Sequence, residues 1–314
     1  MSDKLSRTIQ RFQAKIDSGS FYEAHQTLRT IANRYIKAKQ YDEAINLLYQ
    51  GSVILAKNKE YTSACDLIVY LLEVYHESSK TIDDKDAKDK IIEVISYIPS
   101  SDPGLADLSK RAVEWSKNES NKFGDHDLHN LFGTKFLNSL GESKADDVEK
   151  RKIFSVGEFH SILGNSSSLN TYTDFLYQWA KSSDEDEGIF ITRAVVNYAY
   201  LKNIEFAKEC LSKFMAKLIK DSPNYETLTQ DHHTVYYYPQ KSVINFVQLL
   251  VITLCKQDAG HKFLKLFDLY KADLTHYQLV GPVEYLGRFY FNLKLGNPAA
   301  NQNMFANLMG DLFK

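Results

Sequence analysis

Residues Phe21 to Ala64 read FYEAHQTLRTIANRYIKAKQYDEAINLLYQGSVILAKNKEYTSA, and three positions in this stretch decide the fold. Phe21-Tyr22-Glu23-Ala24, Tyr41-Asp42-Glu43-Ala44 and Tyr61-Thr62-Ser63-Ala64 each place an aromatic three residues before an alanine, and the alanines recur every twenty residues. One helix therefore starts per period. An aromatic followed one turn later by a small residue gives the bulky ring a slot and lets neighbouring helices approach, which is the packing logic of helical-hairpin repeats. Two such helices make a unit of about forty residues, nearer the longer helical repeats than the 34-residue kind. A degenerate copy, Ile204-Glu205-Phe206-Ala207, opens a later helix.

Between these marks the period is helical. Leu5, Ile9, Phe12 and Ile16 share one stripe, as do Phe21, Ala24, Leu28, Ile31 and Tyr35, and Ala64, Leu67, Ile68, Leu71 and Leu72. The same pattern predicts helices over 84–98, 104–118, 126–140, 168–182, 187–201, 204–219, 241–256, 261–272 and 282–295. It is weakest over 141–168, where Gly141, Gly157, Gly164 and a serine run interrupt it. The boundary between two halves, 1–140 and 141–314, is expected just before it. The charged run Asp83 to Lys90 reads as an exposed helix start, and Ser182 to Glu187 as a linker with an acidic helix start.

One segment departs from helix. Tyr225–Gln230 and Thr234–Tyr238 are β-prone runs around Asp231-His232-His233, with Pro223 before and Pro239 after, and they predict a small β-hairpin over about 225–238. An isolated ribbon is marginal in water, so it must lie on helices or on another chain. The helix that follows is apolar all round, from Val243 through Phe246 and Leu250 to Leu254. Such a helix must be covered on every side, by neighbouring helices, by a partner, or by both.

Composition agrees with an all-α chain. With 14 Gly and 6 Pro in 314 residues, breakers are roughly half as common as the usual ~12%. That argues against turn-rich sandwiches, barrels and propellers. A formal charge of −2 supplies no global field for nucleic acid or an anionic membrane. The longest nearly apolar stretch, Phe246 to Cys255, is about half of the ~20 residues a membrane span needs. The three cysteines, Cys65, Cys210 and Cys255, are far apart and set among apolar residues, which suggests buried thiols in a reducing compartment, the cytosol.

The sequence holds no phosphate-cradling glycine loop, no H-E-x-x-H, no C-x-x-C and no G-x-S-x-G. His126 and His129 are three apart but lack an obvious third ligand, and capping and packing explain them better than a metal does. His232 and His233 read as a solvated turn. No cofactor and no catalytic residue are expected. Charge distribution is more telling: residues 1–57 hold nine Lys/Arg and five acids. On the second helix Arg29, Asn33 and Lys37 are spaced four apart opposite the Leu28/Ile31/Tyr35 stripe, with Arg34 beside them, as an outward basic strip. Without interleaved aromatics it suits an acidic protein surface better than DNA.

The chain resembles the Golgi-to-ER traffic protein four family, the helical-repeat adaptors of the tail-anchored protein targeting pathway. The resemblance rests on F-Y-E-A-H-Q-T-L-R-T at 21–30, N-R-Y at 33–35, S-A-C-D-L at 63–67, R-A-V-E-W-S at 111–116 and H-D-L-H at 126–129. It continues with I-T-R-A-V-V-N-Y-A-Y-L-K-N at 191–203, I-N-F-V-Q-L-L at 244–250, Y-L-G-R-F-Y-F at 285–291 and N-L-M-G at 307–310. It implies a TPR-like right-handed α-solenoid that serves as a cytosolic, non-enzymatic adaptor. The N-terminal helices would dock the pathway's targeting ATPase, favouring its nucleotide-bound closed form and restraining hydrolysis until a client is loaded. The C-terminal helices and hairpin would hold a ubiquitin-like-domain partner, which recruits a client-carrying co-chaperone. Carried onto these residues, the ATPase face is Arg29, Asn33, Arg34 and Lys37, and the partner face Tyr236, Tyr238, Phe246 and Leu250. Two other readings of the same pattern are a helical scaffold subunit of another large regulatory complex and an α/α enzyme. The second requires His126 and His129 to line a pocket.

Overall fold

In a computed structural model of the chain, residues 3–142, 146–230 and 232–296 are described; the N-L-M-G string at 307–310 lies outside them. The twenty-residue period has a simple physical origin. Helices α2 (Phe21–Lys37), α3 (Tyr41–Lys57) and α4 (Tyr61–Glu77) are each 17 residues long, and each ends in the same turn. In it Lys39, Lys59 and Ser79 adopt left-handed φ of 58°, 65° and 56°. The amide before and the amide after the turn then reach back to the last helical carbonyls, as Lys39 N–H does to Ile36 O and Gln40 N–H to Tyr35 O. Gly19 and Lys202 stand in the same place in the α1–α2 and α10–α11 links.

The helices divide into two compact units, residues 1–165 and 166–314. The first contains α1 (Asp3–Asp17), α2, α3, α4, α5 (Lys85–Ser96), α6 (Leu105–Trp115), α7 (His126–Glu142) and α8 (Asp147–Leu163). Its core runs from Leu28 through Leu47, Leu67, Leu71, Tyr75, Val94 and Leu108 to Phe132. The repeat's slots are real: Ala24, Ala44 and Ala64 are all fully buried. Gly51 completes one of them, since a Cβ there would stand 2.3 Å from Leu28 Cδ1.

Helix α8 lies where the sequence pattern fails, and it belongs with the first unit, so the division falls later than the expected 140/141. The interruption is caused by how closely α7 and α8 cross. Gly157 packs on Phe136 and Leu137, and Gly133 on His160 and Ser161, so closely that a Cβ at either would be crowded. Buried Glu158, His160 and Ser161 further disguise the apolar stripe.

The second unit contains α9 (Ser166–Lys181), α10 (Gly188–Tyr200), α11 (Ile204–Asp221), strands β1 (Glu226–Gln230) and β2 (His233–Tyr237), α12 (Ser242–Leu254), α13 (Gly260–His276) and α14 (Val280–Phe291). The strands pair antiparallel, Glu226 with Tyr237 and Gln230 with His233, so His233 ends the ladder instead of lying in the turn. His232 supplies the positive φ, 63°, that a two-residue hairpin loop requires.

Candidate interaction surfaces

On α2, Arg34, Lys37 and Asn33 are exposed, and Arg34 and Lys37 carry no ion pair among the described residues. Arg29 is different. Its guanidinium binds both oxygens of Asp66 on α4 and lies 5.0 Å above the Tyr70 ring. His25 Nε2 meets the same carboxylate at 2.8 Å. Burial alone would raise the Asp66 carboxyl, but the Arg29 and His25 bonds outweigh it and hold it below the ordinary carboxylate range. Arg29 thus points toward α4 and is half neutralised, not outward with Lys37 as the spacing of four suggests. Exposed Arg7 and Arg11, four apart on α1, and Lys39 are further cations of the same unit.

In the second unit three of the four expected partner residues are buried within the chain. Phe246 and Leu250 are 1% and 0% exposed, inside a cluster with Val196, Phe263, Phe267, Leu274 and Leu286. The all-round apolar helix is therefore covered by its own chain, from α10, α11, α13 and β2. Tyr238 is also buried, with its hydroxyl donating to Ser222 O at 3.1 Å. Only Tyr236 remains half-buried, its ring edge-on to Tyr225 at 5.3 Å. The exposed apolar side chains described in this unit are Leu228 and Tyr237 on one face of the hairpin, Trp179 on α9, Leu269 on α13 and Phe289 on α14, none of them among the expected partner residues.

Two buried amides on α12 hold the hairpin. Tyr236 N–H donates to Gln248 Oε1 and Gln248 Nε2 donates back to Tyr236 O, both at 2.9 Å. Asn245 does the same for Tyr238, at 2.9 and 2.7 Å. Together they satisfy the edge of β2 as a neighbouring strand would. The outer strand, β1, is exposed along its whole length. At the other end of α12, Asp186 accepts from Gly188 N–H and Val243 N–H, both at 2.8 Å, tying the starts of α10 and α12 together. The acidic run is thus more than a linker. Likewise Lys88, in the charged run 83–90, bridges Asp125 and Asp127 at 2.7 Å each.

His126 and His129 are both engaged in bonds within the fold. Asp125, not His126, caps α7, its Oδ1 accepting from the amides of Asp127 and Leu128. His126 Nδ1 donates to Leu163 O at 2.7 Å. His129 Nε2 donates to Phe123 O at 3.0 Å, so its Nδ1 must accept from His160 Nδ1 at 2.8 Å, and both rings are neutral. Burial among Phe132, Phe136 and Phe159 pushes His129 down to about 4 and His160 well below the ordinary imidazole value of 6.5. Among the described residues no three His, Cys, Asp or Glu side chains converge as a metal site.

A pH dependence follows. The unfolded chain takes up protons below about pH 6.5 that the folded pair refuses, so stability is complete above that value and falls as the pH drops toward 4. Urea midpoints should decline over this window in the native sequence and decline less in His160→Phe. A midpoint that stays level from pH 7 to 5 would refute the neutral pair.

Cys65 and Cys210 are buried, with burial raising both thiols, whereas Cys255 is exposed because it sits just past the last turn of α12.

The sequence profile of the Golgi to ER traffic protein 4 family matches residues 38–313. The chain belongs to that family. Golgi to ER traffic protein 4 of Schizosaccharomyces pombe is 31% identical over 93% of this chain and 90% of its own length. The Aspergillus fumigatus protein of the same name is 29% identical, over 95% and 88%. The Homo sapiens homologue is 25% identical over 98% and 85%. The crystal structure of C. therm. Get4 shares the fold, with a TM-score of 0.81, covering 99% of this chain and 96% of that one at 24% identity. Family membership places the chain in Golgi-to-ER traffic as an all-α solenoid protein. No described helix is long and apolar enough to cross a membrane.

Proposed function

We propose that this chain is a non-enzymatic adaptor that brings the targeting ATPase of the tail-anchored pathway together with a ubiquitin-like-domain partner, and through it a client-carrying co-chaperone, in the cytosol. The observation that carries the reading is the group of exposed, unpaired cations on the N-terminal helices. The first two helices and the link that follows them expose Arg7, Arg11, Arg34, Lys37 and Lys39 without acidic partners among the described residues, whereas Lys88, Lys181 and Lys217 farther along are tied to carboxylates. Cations left unpaired suit an acidic protein surface and would steer its approach. Linking two binding events through one scaffold raises effective concentration without any chemistry of its own.

On this reading the ATPase face is Asn33, Arg34 and Lys37, joined by Arg7 and Arg11, and Arg29 acts by clamping α2 to α4. The ubiquitin-like partner meets Tyr236, Tyr237 and Leu228, with Tyr238, Phe246 and Leu250 supporting them from beneath. The exposed outer edge of β1 suits addition of an extended segment, through main-chain hydrogen bonds. An α/α enzyme is the weaker reading, because the strongly shifted histidines are consumed by bonds within the fold.

Reversing Arg34 and Lys37 together to glutamate should weaken ATPase binding about tenfold, ~1.4 kcal/mol, and flatten its salt dependence, with the ubiquitin-like partner still bound. Unchanged affinity in a titration would remove the ATPase from this face.

A further inference from the structure

The second unit holds a cleft that the adaptor function does not use. It lies between α10 and the turn that joins α13 to α14, encloses about 310 Å³, and is lined by Ile189, Thr192, Val196, Asn197, Leu279 and Pro282 among others. Its volume is at the lower end of sites that take a small ligand. At ~100° per residue, Ile189, Val196 and the Tyr200 ring form one apolar strip along α10, and Thr192 and Asn197 stand on its two flanks. The Tyr200 hydroxyl donates across to Pro282 O at 3.1 Å and closes one end.

Both flanking side chains are buried, and neither is satisfied within the fold. Thr192 is 0% exposed, and its hydroxyl has no hydrogen-bond partner among the described residues. Asn197 is 7% exposed, and its side-chain amide makes no hydrogen bond among the described residues. Asn245 and Gln248, just as deeply buried on α12, each bond the hairpin twice. That is the usual condition of buried polar groups. A hydroxyl and an amide left unpaired beside the same cleft each cost free energy that a group seated there would recover.

The chemistry of the lining selects the class of that group. Arg193, the one charged residue of the lining, is already engaged. The two unsatisfied groups are neutral, and each can donate as well as accept. A carboxylate offers only acceptors and an ammonium only donors, and either would leave its charge among apolar side chains. An amide both donates and accepts and carries no charge.

We propose that this cleft binds a small neutral ligand with an amide on either side of a branched apolar body. Thr192 and Asn197 pair with the amides, and Ile189, Val196 and Leu279 cover the body. The site is independent of the ATPase and ubiquitin-like faces, none of whose residues line it.

The probe is N-acetyl-leucinamide, titrated into isotope-labelled full-length protein while the backbone amide resonances are followed by NMR. A ligand of about a dozen heavy atoms should bind with a Kd of about 1 mM. It should shift the amides of Thr192, Val196, Asn197 and Leu279 saturably and leave those of α2 and the hairpin in place. N-acetyl-leucine, in which a carboxylate replaces one amide, should bind at least about tenfold more weakly. Thr192→Val keeps the shape of the side chain and removes the unpaired hydroxyl. It should weaken the probe about tenfold while leaving the thermal midpoint level or raising it. Asn197→Ser should weaken the probe similarly; if that variant fails to fold, Thr192→Val alone must show the loss. No saturable shift up to about 20 mM probe overturns the proposal, as does equal binding of N-acetyl-leucine or undiminished binding by Thr192→Val. A midpoint several degrees lower in Thr192→Val overturns it as well, because the hydroxyl would then be bonded within the fold.

Discussion

Truncating Phe246 to alanine is expected to destabilise the second unit by about 3–5 kcal/mol, because a fully buried ring is replaced by a cavity that its neighbours can only partly fill. The ring is 1% exposed, lies 5.6 Å from Tyr270, and sits in the same cluster as Phe263, Phe267 and Leu286. Such a loss is of the size of many domains' whole stability, so the variant should also lose the ubiquitin-like partner. That release would say nothing about direct contact. The companion variant Leu228→Ala with Tyr237→Ala separates the two effects. Both side chains are exposed, at 52% and 37%, so stability should move by less than about 0.5 kcal/mol per site while partner affinity falls. Urea unfolding and a binding titration on the same samples decide the matter. A Phe246→Ala protein with native stability and no partner binding would return this residue to the surface.

Replacing Asn245 and Gln248 together by alanine should free the hairpin while α12 and its core survive. Four hydrogen bonds are lost, at about 1 kcal/mol each. Their backbone partners become accessible to water once the strand lifts away, which limits the cost to the local docking equilibrium. Hydrogen exchange should therefore show the amides of Tyr236 and Tyr238 losing protection by a factor of about 100 or more, with those of α12 little changed and the circular dichroism still helical. Protection that survives the double substitution would mean that ring packing, by Tyr225 and Tyr238, holds the hairpin and the amides are incidental. A partner that adds to β1 would bind the double variant more weakly, since its template is then loosely held.

Most of the fold is legible in the sequence because its repeat is a packing rule written in residue size. An aromatic and an alanine one turn apart, every twenty residues, specify where each helix begins and how closely the next one lies. Seventeen residues of helix and a three-residue link leave little else to choose. The hairpin is legible for a similar reason, since β-prone runs bounded by two prolines have few alternatives. Helix α8 was hidden because it meets α7 through glycines and buries histidine, serine and glutamate, so neither its composition nor its period marks it as core.

The interaction surfaces were legible only in part. Net positive charge at the N-terminal end could be counted, and Arg34 and Lys37 are where that count placed them. Arg29 could not be sorted from them, because its partner Asp66 is 37 residues away and only the packing of α2 on α4 brings the two together. The same holds for Phe246 and Leu250. A helix that is apolar on all sides announces that it must be covered, and the sequence is silent on whether its own chain or another does so. Two amides three apart, Asn245 and Gln248, on an otherwise apolar helix do mark in the sequence something polar that must be satisfied in the interior.

What the sequence determines by itself is thus local and periodic: helix lengths, links, the hairpin, the family, and the sign of charge along the chain. What the tertiary structure alone decides is which members of those patterns remain free to act. Burial and pairing depend on residues distant in sequence, and a side chain's charge or apolar surface is available to a partner only where the fold has not already used it.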